Sequence, residues 1–151
     1  MLVDIDKLMG SDFFKIEEPW NVEQLERLPA RTLAYIGDSV FELGLRMTHV
    51  RMGIDDAGRL HDSLVKYVSS SAQAGVFQIV FEEASEEEQQ LMKSWRNAKM
   101  PSRYGSGTKG QYARATALEA WVAYLFLTKN DKKLKRVFEI AIERMKNNEA
   151  K

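Results

Sequence analysis

One segment in the last third of the chain constrains the fold more than any other. Residues 115–127 read Ala-Thr-Ala-Leu-Glu-Ala-Trp-Val-Ala-Tyr-Leu-Phe-Leu, which puts apolar side chains on nearly every side of a helix. A helix that is apolar all round is buried in a protein interior. Glu119 lies within it, and an ionised carboxylate in such surroundings is costly unless something pairs with it. The sequence therefore predicts a buried helix whose glutamate needs a cation.

A second acid, Asp38, occurs in a similar setting, in residues 33–42 (Leu-Ala-Tyr-Ile-Gly-Asp-Ser-Val-Phe-Glu). At 100° per residue, this helix has two apolar faces, which we expect to be buried on two sides. They consist of Leu33, Ile36, Val40, Leu43 and Met47, and of Ala34, Gly37, Phe41 and Leu45. Asp38 falls on a narrow polar ridge with Glu42 and Arg46. Two acids from distant, mostly apolar helices suggest a shared metal ion.

Each acid also has a purely structural interpretation. Glu42 can pair with Arg46 at i, i+4 on a surface ridge, and Asp38 could belong to the same ridge. Glu119 could be a buried acid that is neutralised by an arginine or by tyrosine hydroxyls instead of a metal.

Helical periodicity dominates the 151 residues, and no period-2 strand pattern is evident. The chain length suits one domain. We predict an all-α domain over 21–151, preceded by an N-terminal arm over 1–20. The first expected helix runs from Pro29 to about Met52, and the next two run over 57–68 after Asp56 and over about 71–83 after the serines at 69–71. A fourth begins at the Ser85–Glu88 capping box and reaches about Ala98. After a loop over 100–110, a fifth helix contains Glu119, and a last one runs from Asn130 or Asp131 to about Lys146.

The composition limits where the protein can be located and which cross-links and metal sites it can form. There are no cysteines, which excludes disulfides and thiolate metal sites. We expect no signal peptide, because the N-terminus lacks a basic flank and an uninterrupted apolar stretch. No segment reaches the roughly 18 apolar residues of a membrane span. The expected location is the cytoplasm.

Charge is strongly segregated, although 22 basic and 22 acidic residues give a formal net charge of zero. No acid occurs over residues 89–118, and three aromatic residues, Trp95, Tyr104 and Tyr112, are interleaved there with bases. The bases are Lys93, Arg96, Lys99, Arg103, Lys109 and Arg114. A solvated helix face followed by a loop would also have this composition, but the pattern favours binding of a phosphate backbone by shape.

Four segments, in order, resemble the ribonuclease III catalytic domain. The signature is Tyr-Ile-Gly-Asp-Ser-Val-Phe-Glu over 35–42, followed by Leu-His-Asp-Ser-Leu-Val-Lys-Tyr-Val-Ser-Ser-Ser-Ala-Gln-Ala over 60–74. Trp-Arg-Asn-Ala-Lys over 95–99, with the glycine-rich loop after it, and the segment over 115–127 complete the pattern. The resemblance covers about residues 28–145. We expect no double-stranded-RNA-binding domain. In this the chain is similar to the compact subfamily called Mini-ribonuclease III.

This resemblance implies a ribonuclease III-like all-α endonuclease domain that is a homodimer, uses Mg²⁺ and cuts double-stranded RNA, with precursor large-subunit ribosomal RNA as the biological substrate. The signature aspartate corresponds to Asp38 and the later glutamate to Glu119, so these two are the implied catalytic and metal-binding residues. Full-length ribonuclease III has further acids where this chain has Ala34 and Thr116; the compact subfamily resembles this chain in lacking both. The candidate RNA-binding residues are Arg96, Lys99, Arg103, Lys109 and Arg114.

Two other functions are compatible with the sequence. One is a ribonuclease III-like domain that binds double-stranded RNA without cutting it, which the uncharged Ala34 and Thr116 favour. The other is an all-α nucleotide pyrophosphatase, which would use several acids at helical Glu-x-x-Glu spacing. The acidic cluster with Glu83, Glu86 and Glu88 is the candidate for that pattern here.

Overall fold

The computed structural model describes residues 18–101 and 107–149, which form seven helices and no strand. The prediction of an all-α domain is therefore confirmed for the described residues. The helices are α1 (Val22–Arg27), α2 (Ala30–Arg51), α3 (Ala57–Val68), α4 (Ser70–Glu83), α5 (Glu86–Arg96), α6 (Lys109–Leu127) and α7 (Asp131–Glu149).

Helix α6 is the centre of the bundle and packs against α2, α4, α5 and α7. Most of its residues from Ala115 to Leu127 are buried, as the apolar sequence predicts. Trp121 fills the space towards α5, with its ring 6.3 Å from that of Trp95 and stacked 5.5 Å from that of Tyr124. Because four helices pack against α6, a polar group on its buried stretch after Arg114 is held in a rigid environment with little access to water.

Helix α2 is buried on one side only. The face with Ala34, Gly37, Phe41 and Leu45 lies in the core, as expected. The prediction that the other apolar face is also buried is wrong beyond Leu33: Ile36 and Val40 are half-buried, and Leu43 and Met47 are exposed. The reason is that α3, α6 and α7 together cover a single side of α2.

Capping residues set the helix boundaries much as predicted. The side chain of Asp56 accepts a hydrogen bond from the backbone N–H of Arg59, and Ser69 accepts one from Ala72. Ser85 and Glu88 form the expected capping box at the start of α5.

The predicted end of the glycine-rich loop is wrong. Thr108 and Gln111 form a second capping box, so α6 already begins at Lys109 and includes Gly110. The capping box gives hydrogen-bond partners to the backbone N–H groups of Thr108 and Gln111. This stabilisation outweighs the low helix propensity of Gly110.

At the N-terminus, the backbone N–H of Trp20 donates to the carbonyl of Leu127 at 2.9 Å. The short helix α1 follows and buries Leu25; the sequence patterns did not indicate it. The arm predicted over 1–20 falls mostly on residues 1–17, which lie outside the described residues, so the boundary at 20 stays a prediction. None of the seven described helices has the length and hydropathy of a membrane span.

Candidate active site

The two predicted acids meet where α2 crosses α6. Gly37 makes this crossing possible: a Cβ atom at that position would lie 1.6 Å from the carbonyl oxygen of Glu119. Without that atom the two backbones are in contact, and Asp38, the next residue, lies beside the Glu119 side chain. The two side chains are within hydrogen-bonding range of each other. The structure thus brings together two carboxyl groups that are separated by 80 residues in sequence.

Burial and like charge act together on Glu119. Removal of its carboxyl group from water raises its pKa, and the charge and hydrogen bond of Asp38 raise it further, with a smaller effect from the charge of Glu42; the pKa reaches about 9. At neutral pH, Glu119 therefore keeps its proton. This is the expected state of a carboxyl group that contacts another one and forms no ion pair with a described basic residue.

The arginine alternative for Glu119 is wrong for the residues that the structure describes. None of their ion pairs involves Asp38 or Glu119. The groups that shift the pKa of Glu119 are both acids, Asp38 and Glu42, and no tyrosine hydroxyl contributes. One turn before the two acids, Ala34 and Thr116 are buried and carry no charge.

The chemistry of this pair fits a divalent cation held by few protein ligands. In the described ranges, no group of three or more histidine, cysteine or acidic side chains is arranged to hold a metal. A hard cation such as Mg²⁺ needs only one or two carboxylates, because it keeps several waters and uses substrate phosphates as further ligands. Two half-buried acids that form no ion pair with any described residue supply that ligand set.

The structure places four of the five predicted RNA-binding residues, since Arg103 lies outside the described residues. Lys99 is exposed just after α5, and Lys109 is exposed at the first position of α6. Arg96 is half-buried, with its guanidinium 5.8 Å from the centre of the Phe81 ring and its Nε–H donating to Asn97 at 3.4 Å. Arg96 therefore has a packing role within the bundle as well as a charge at its surface.

Helix α6 carries both the candidate acid and two of the bases. Lys109 is ten residues before Glu119, which corresponds to about 15 Å along the axis. Arg114 is closer in sequence, but it projects about 140° away from Glu119 around the helix. Gly107, just before α6, lies against Ser70 at the start of α4. Lys109 is thus better oriented than Arg114 to contact an RNA strand that also reaches Glu119.

Sequence reasoning did not recognise the role of Gly37 and left that of Glu42 open. Gly37 directly precedes an acid in an otherwise well-formed helix, and a glycine inside a helix costs stability unless close packing requires it. That rule could have indicated a helix crossing at this point. The effect of the Glu42 charge on Glu119 depends on the packing of α6 against α2, which no local pattern describes.

Comparisons with known proteins agree with this architecture. A model of the ribonuclease III domain family matches residues 31–130. A Mini-ribonuclease 3 from Symbiobacterium thermophilum is 33% identical over 116 residues, which cover 77% of this chain and 89% of that protein. A Mini-ribonuclease 3 from a Thermoanaerobacter species is 31% identical over 136 residues, covering 90% and 94%. The crystal structure of a protein from Fusobacterium nucleatum matches with a TM-score of 0.68 and 26% identity, covering 77% of this chain and 93% of that one.

The all-helical domain and the family match define an endoribonuclease of the ribonuclease III type, a class that acts on double-stranded RNA with a divalent metal ion. Within that class, the chain belongs to the Mini-ribonuclease 3 family.

Proposed function

We propose that this endoribonuclease cuts structured double-stranded RNA at a Mg²⁺ site formed by Asp38 and Glu119, and that it matures precursor large-subunit ribosomal RNA in the cytoplasm. The observation that supports the site is the contact between two acids at a helix crossing, neither of which pairs with a basic side chain among the described residues. The substrate follows from the resemblance to the compact ribonuclease III subfamily.

In this proposal the carboxylates of Asp38 and Glu119 would hold Mg²⁺, for which Glu119 must be ionised. When bound, the ion activates water for in-line attack on the phosphodiester and offsets the charge that develops on the phosphate. The protein's own contribution is to fix the two carboxylates on rigid helices and to exclude bulk water from one side of the site. No histidine, serine or cysteine nucleophile is required.

The function is tested by incubating the protein with a precursor-ribosomal-RNA stem and with single-stranded RNA, each with Mg²⁺ or with EDTA. We expect cleavage of the stem in Mg²⁺ only, and a double-stranded-RNA-binding module that does not cut would leave every sample intact. The pyrophosphatase alternative is disfavoured because two of its three acids already have partners: Glu83 binds Arg136 at 2.8 Å, and Glu88 contacts Lys133.

We further propose that the basic residues around the start of α6 bind RNA phosphates. Replacing Lys99, Arg103 and Lys109 together by alanine should weaken the binding of all duplexes alike, since these side chains do not read sequence. The dependence of log K on log salt should also flatten, by about 0.9 or less for each phosphate that the variant no longer neutralises. Fluorescence anisotropy at several salt concentrations measures both quantities.

The matched control for this triple variant is alanine at Lys132, Lys135 and Lys146, three lysines of α7. It removes the same charge from another helix and should leave the salt dependence much closer to that of the wild type. Equal slopes for the wild type and for the variant at the start of α6 would show that this basic segment is only a solvated surface.

We propose that the protein is a homodimer in which α2 packs across a two-fold axis. A duplex has two strands of opposite polarity, and two sites related by such an axis address both. The sequence left open which face of α2 is used, but one apolar face is already in the core. The exposed face is therefore the candidate; its side chains include Tyr35 at 82% exposure, Leu43 at 45%, Met47 at 56% and Val50 at 51%.

Light scattering at micromolar concentration should give twice the 17.3 kDa of one chain. Replacing Leu43 and Met47 together by glutamate should shift the protein to the monomer, because charges would then face each other across the axis. These side chains are exposed in the single chain, so the variant should keep its helical circular dichroism. A wild-type monomer at that concentration would contradict the proposal.

A further inference from the structure

Glu42 lies one helical turn beyond Asp38 on the same polar ridge of α2. Residues four apart on a helix have Cβ atoms about 5–6 Å apart. Glu42 also affects the other acid, since its charge is one of the causes that raise the pKa of Glu119. It is therefore the third carboxylate of this region, and it acts on Glu119 through its charge.

The ion pair that Glu42 makes is loose. Its only ion-pair partner among the described residues is Arg46, at 3.7 Å, and the two side chains are 36% and 58% exposed. By comparison, Arg136 binds both carboxylate oxygens of Glu83, at 3.0 and 2.8 Å. An exposed pair with a single long contact contributes little to stability, so Glu42 can change partner at small cost.

Glu42 is also open to water and ions. Together with Arg46 and His61, it lines a groove of about 330 Å³ between α2 and α3. The rest of this groove is largely apolar, formed by side chains such as Leu45 and Leu64. A hydrated cation held by Asp38 and Glu119 would have Glu42 one helical turn from Asp38.

We propose that Glu42 provides a third negative charge to the metal site as a positioning residue, acting on the hydrated ion through water, and that Arg46 is its counter-ion in the metal-free protein. This inference rests on the proposed Mg²⁺ site at Asp38 and Glu119. Both positions one turn before those acids, Ala34 and Thr116, are uncharged. A hydrated divalent ion held by two carboxylates needs acceptors for its water protons, and Glu42 is placed on the ridge to supply them.

The test is calorimetric titration of the RNA-free protein with Mn²⁺, and then with Mg²⁺, for the wild type and for Glu42→Gln and Arg46→Gln. Loss of a carboxylate that acts through metal-bound water typically weakens metal binding by about 10- to 100-fold, so Kd should rise by about 10-fold or more in Glu42→Gln. In Arg46→Gln, Kd should instead fall by about 2- to 5-fold, because a competing positive charge has been removed.

The matched control is Glu139→Gln. Glu139 also pairs with an arginine on its own helix, at 3.6 Å, and its side chain is 46% exposed, but it lies on α7 away from the two acids. The Kd of the Glu139→Gln variant for the metal ion should equal that of the wild type. The proposal would be overturned if the Kd of Glu42→Gln for the metal ion were within twofold of the wild-type Kd, or if Glu42→Gln and Arg46→Gln weakened metal binding equally. Glu42 and Arg46 would then form only a surface ion pair.

Asp38→Asn separates this proposal from the one on which it rests. If Asp38→Asn abolishes metal binding while Glu42→Gln does not change it, only the role of Glu42 is wrong. If Asp38→Asn binds Mn²⁺ as the wild type does, the metal site itself is wrong, and the inference about Glu42 falls with it.

Discussion

Cleavage of a duplex RNA should fall by orders of magnitude when Asp38 is replaced by asparagine or Glu119 by glutamine. Each change keeps the size of the side chain but removes a charge that Mg²⁺ needs from its few protein ligands. Duplex affinity should largely survive, because it depends on the basic residues around the start of α6. Single-turnover cleavage and anisotropy binding on the same RNA stem measure the two effects separately.

Glu139→Gln is again the control, since it removes one glutamate charge far from the two acids and should cut at the wild-type rate. A variant at position 38 or 119 that also cuts at the wild-type rate would end the metal assignment for that residue. Equal losses of cleavage and of binding would instead point to a damaged fold or RNA surface.

Gly37→Ala should destabilise the protein by about 3 kcal/mol or more, because the new methyl group would overlap the backbone of Glu119. A carbonyl oxygen in a buried helix cannot move aside, so α2 and α6 must separate. Separation would also pull Asp38 away from Glu119, and cleavage should be abolished even at temperatures where the variant is folded. Urea denaturation followed by circular dichroism gives the change in the free energy of unfolding.

Gly110→Ala is the matched control on α6. A Cβ atom there would have no neighbour closer than Thr108 Oγ1, at 4.0 Å, and position 110 is exposed. Alanine is the better helix former, so stability should be unchanged or rise by up to about 1 kcal/mol. If Gly37→Ala were as harmless as Gly110→Ala, the close crossing of α2 and α6 would be refuted.

Local patterns predicted most of the helices and both candidate acids. An acid inside an apolar helix can be recognised in the sequence, because periodicity places it in the interior, as at Glu119. Helix caps such as Asp56 and Ser85 can also be recognised, because they depend on residues only a few positions away. That Asp38 meets Glu119 is suggested by the similar apolar setting of the two acids and supported by the resemblance, but no local pattern gives the contact itself. It arises because Gly37 lets the backbone of Glu119 approach closely, and no periodicity describes a contact between residues so far apart in sequence.

The wrong expectation about α2 has a different origin. Periodicity shows which side chains of a helix avoid water, but it does not show whether they are covered by the same chain or by another molecule. Leu43 and Met47 are as apolar as Phe41 and Leu45, yet only the latter pair is buried. That distinction depends on how many helices one chain can place around α2.

The central claim, that Asp38 and Glu119 form a site for a divalent ion, is tested most directly by melting temperatures of the wild type and Glu119→Gln at pH 8, in EDTA and in Mg²⁺. In the metal-free protein, the folded state keeps a proton on Glu119 up to a pKa of about 9, whereas an ordinary glutamate releases it near 4.5. Stability therefore falls as the pH rises between these values, and Glu119→Gln removes that loss.

We therefore expect Glu119→Gln to melt at or above the wild-type temperature in EDTA, and Mg²⁺ to raise the melting temperature of the wild type only. A variant that is destabilised in EDTA by roughly 3–5 kcal/mol would show that Glu119 neutralises a buried cation of the protein instead. That result, or an equal response to Mg²⁺ in both proteins, would contradict the metal site.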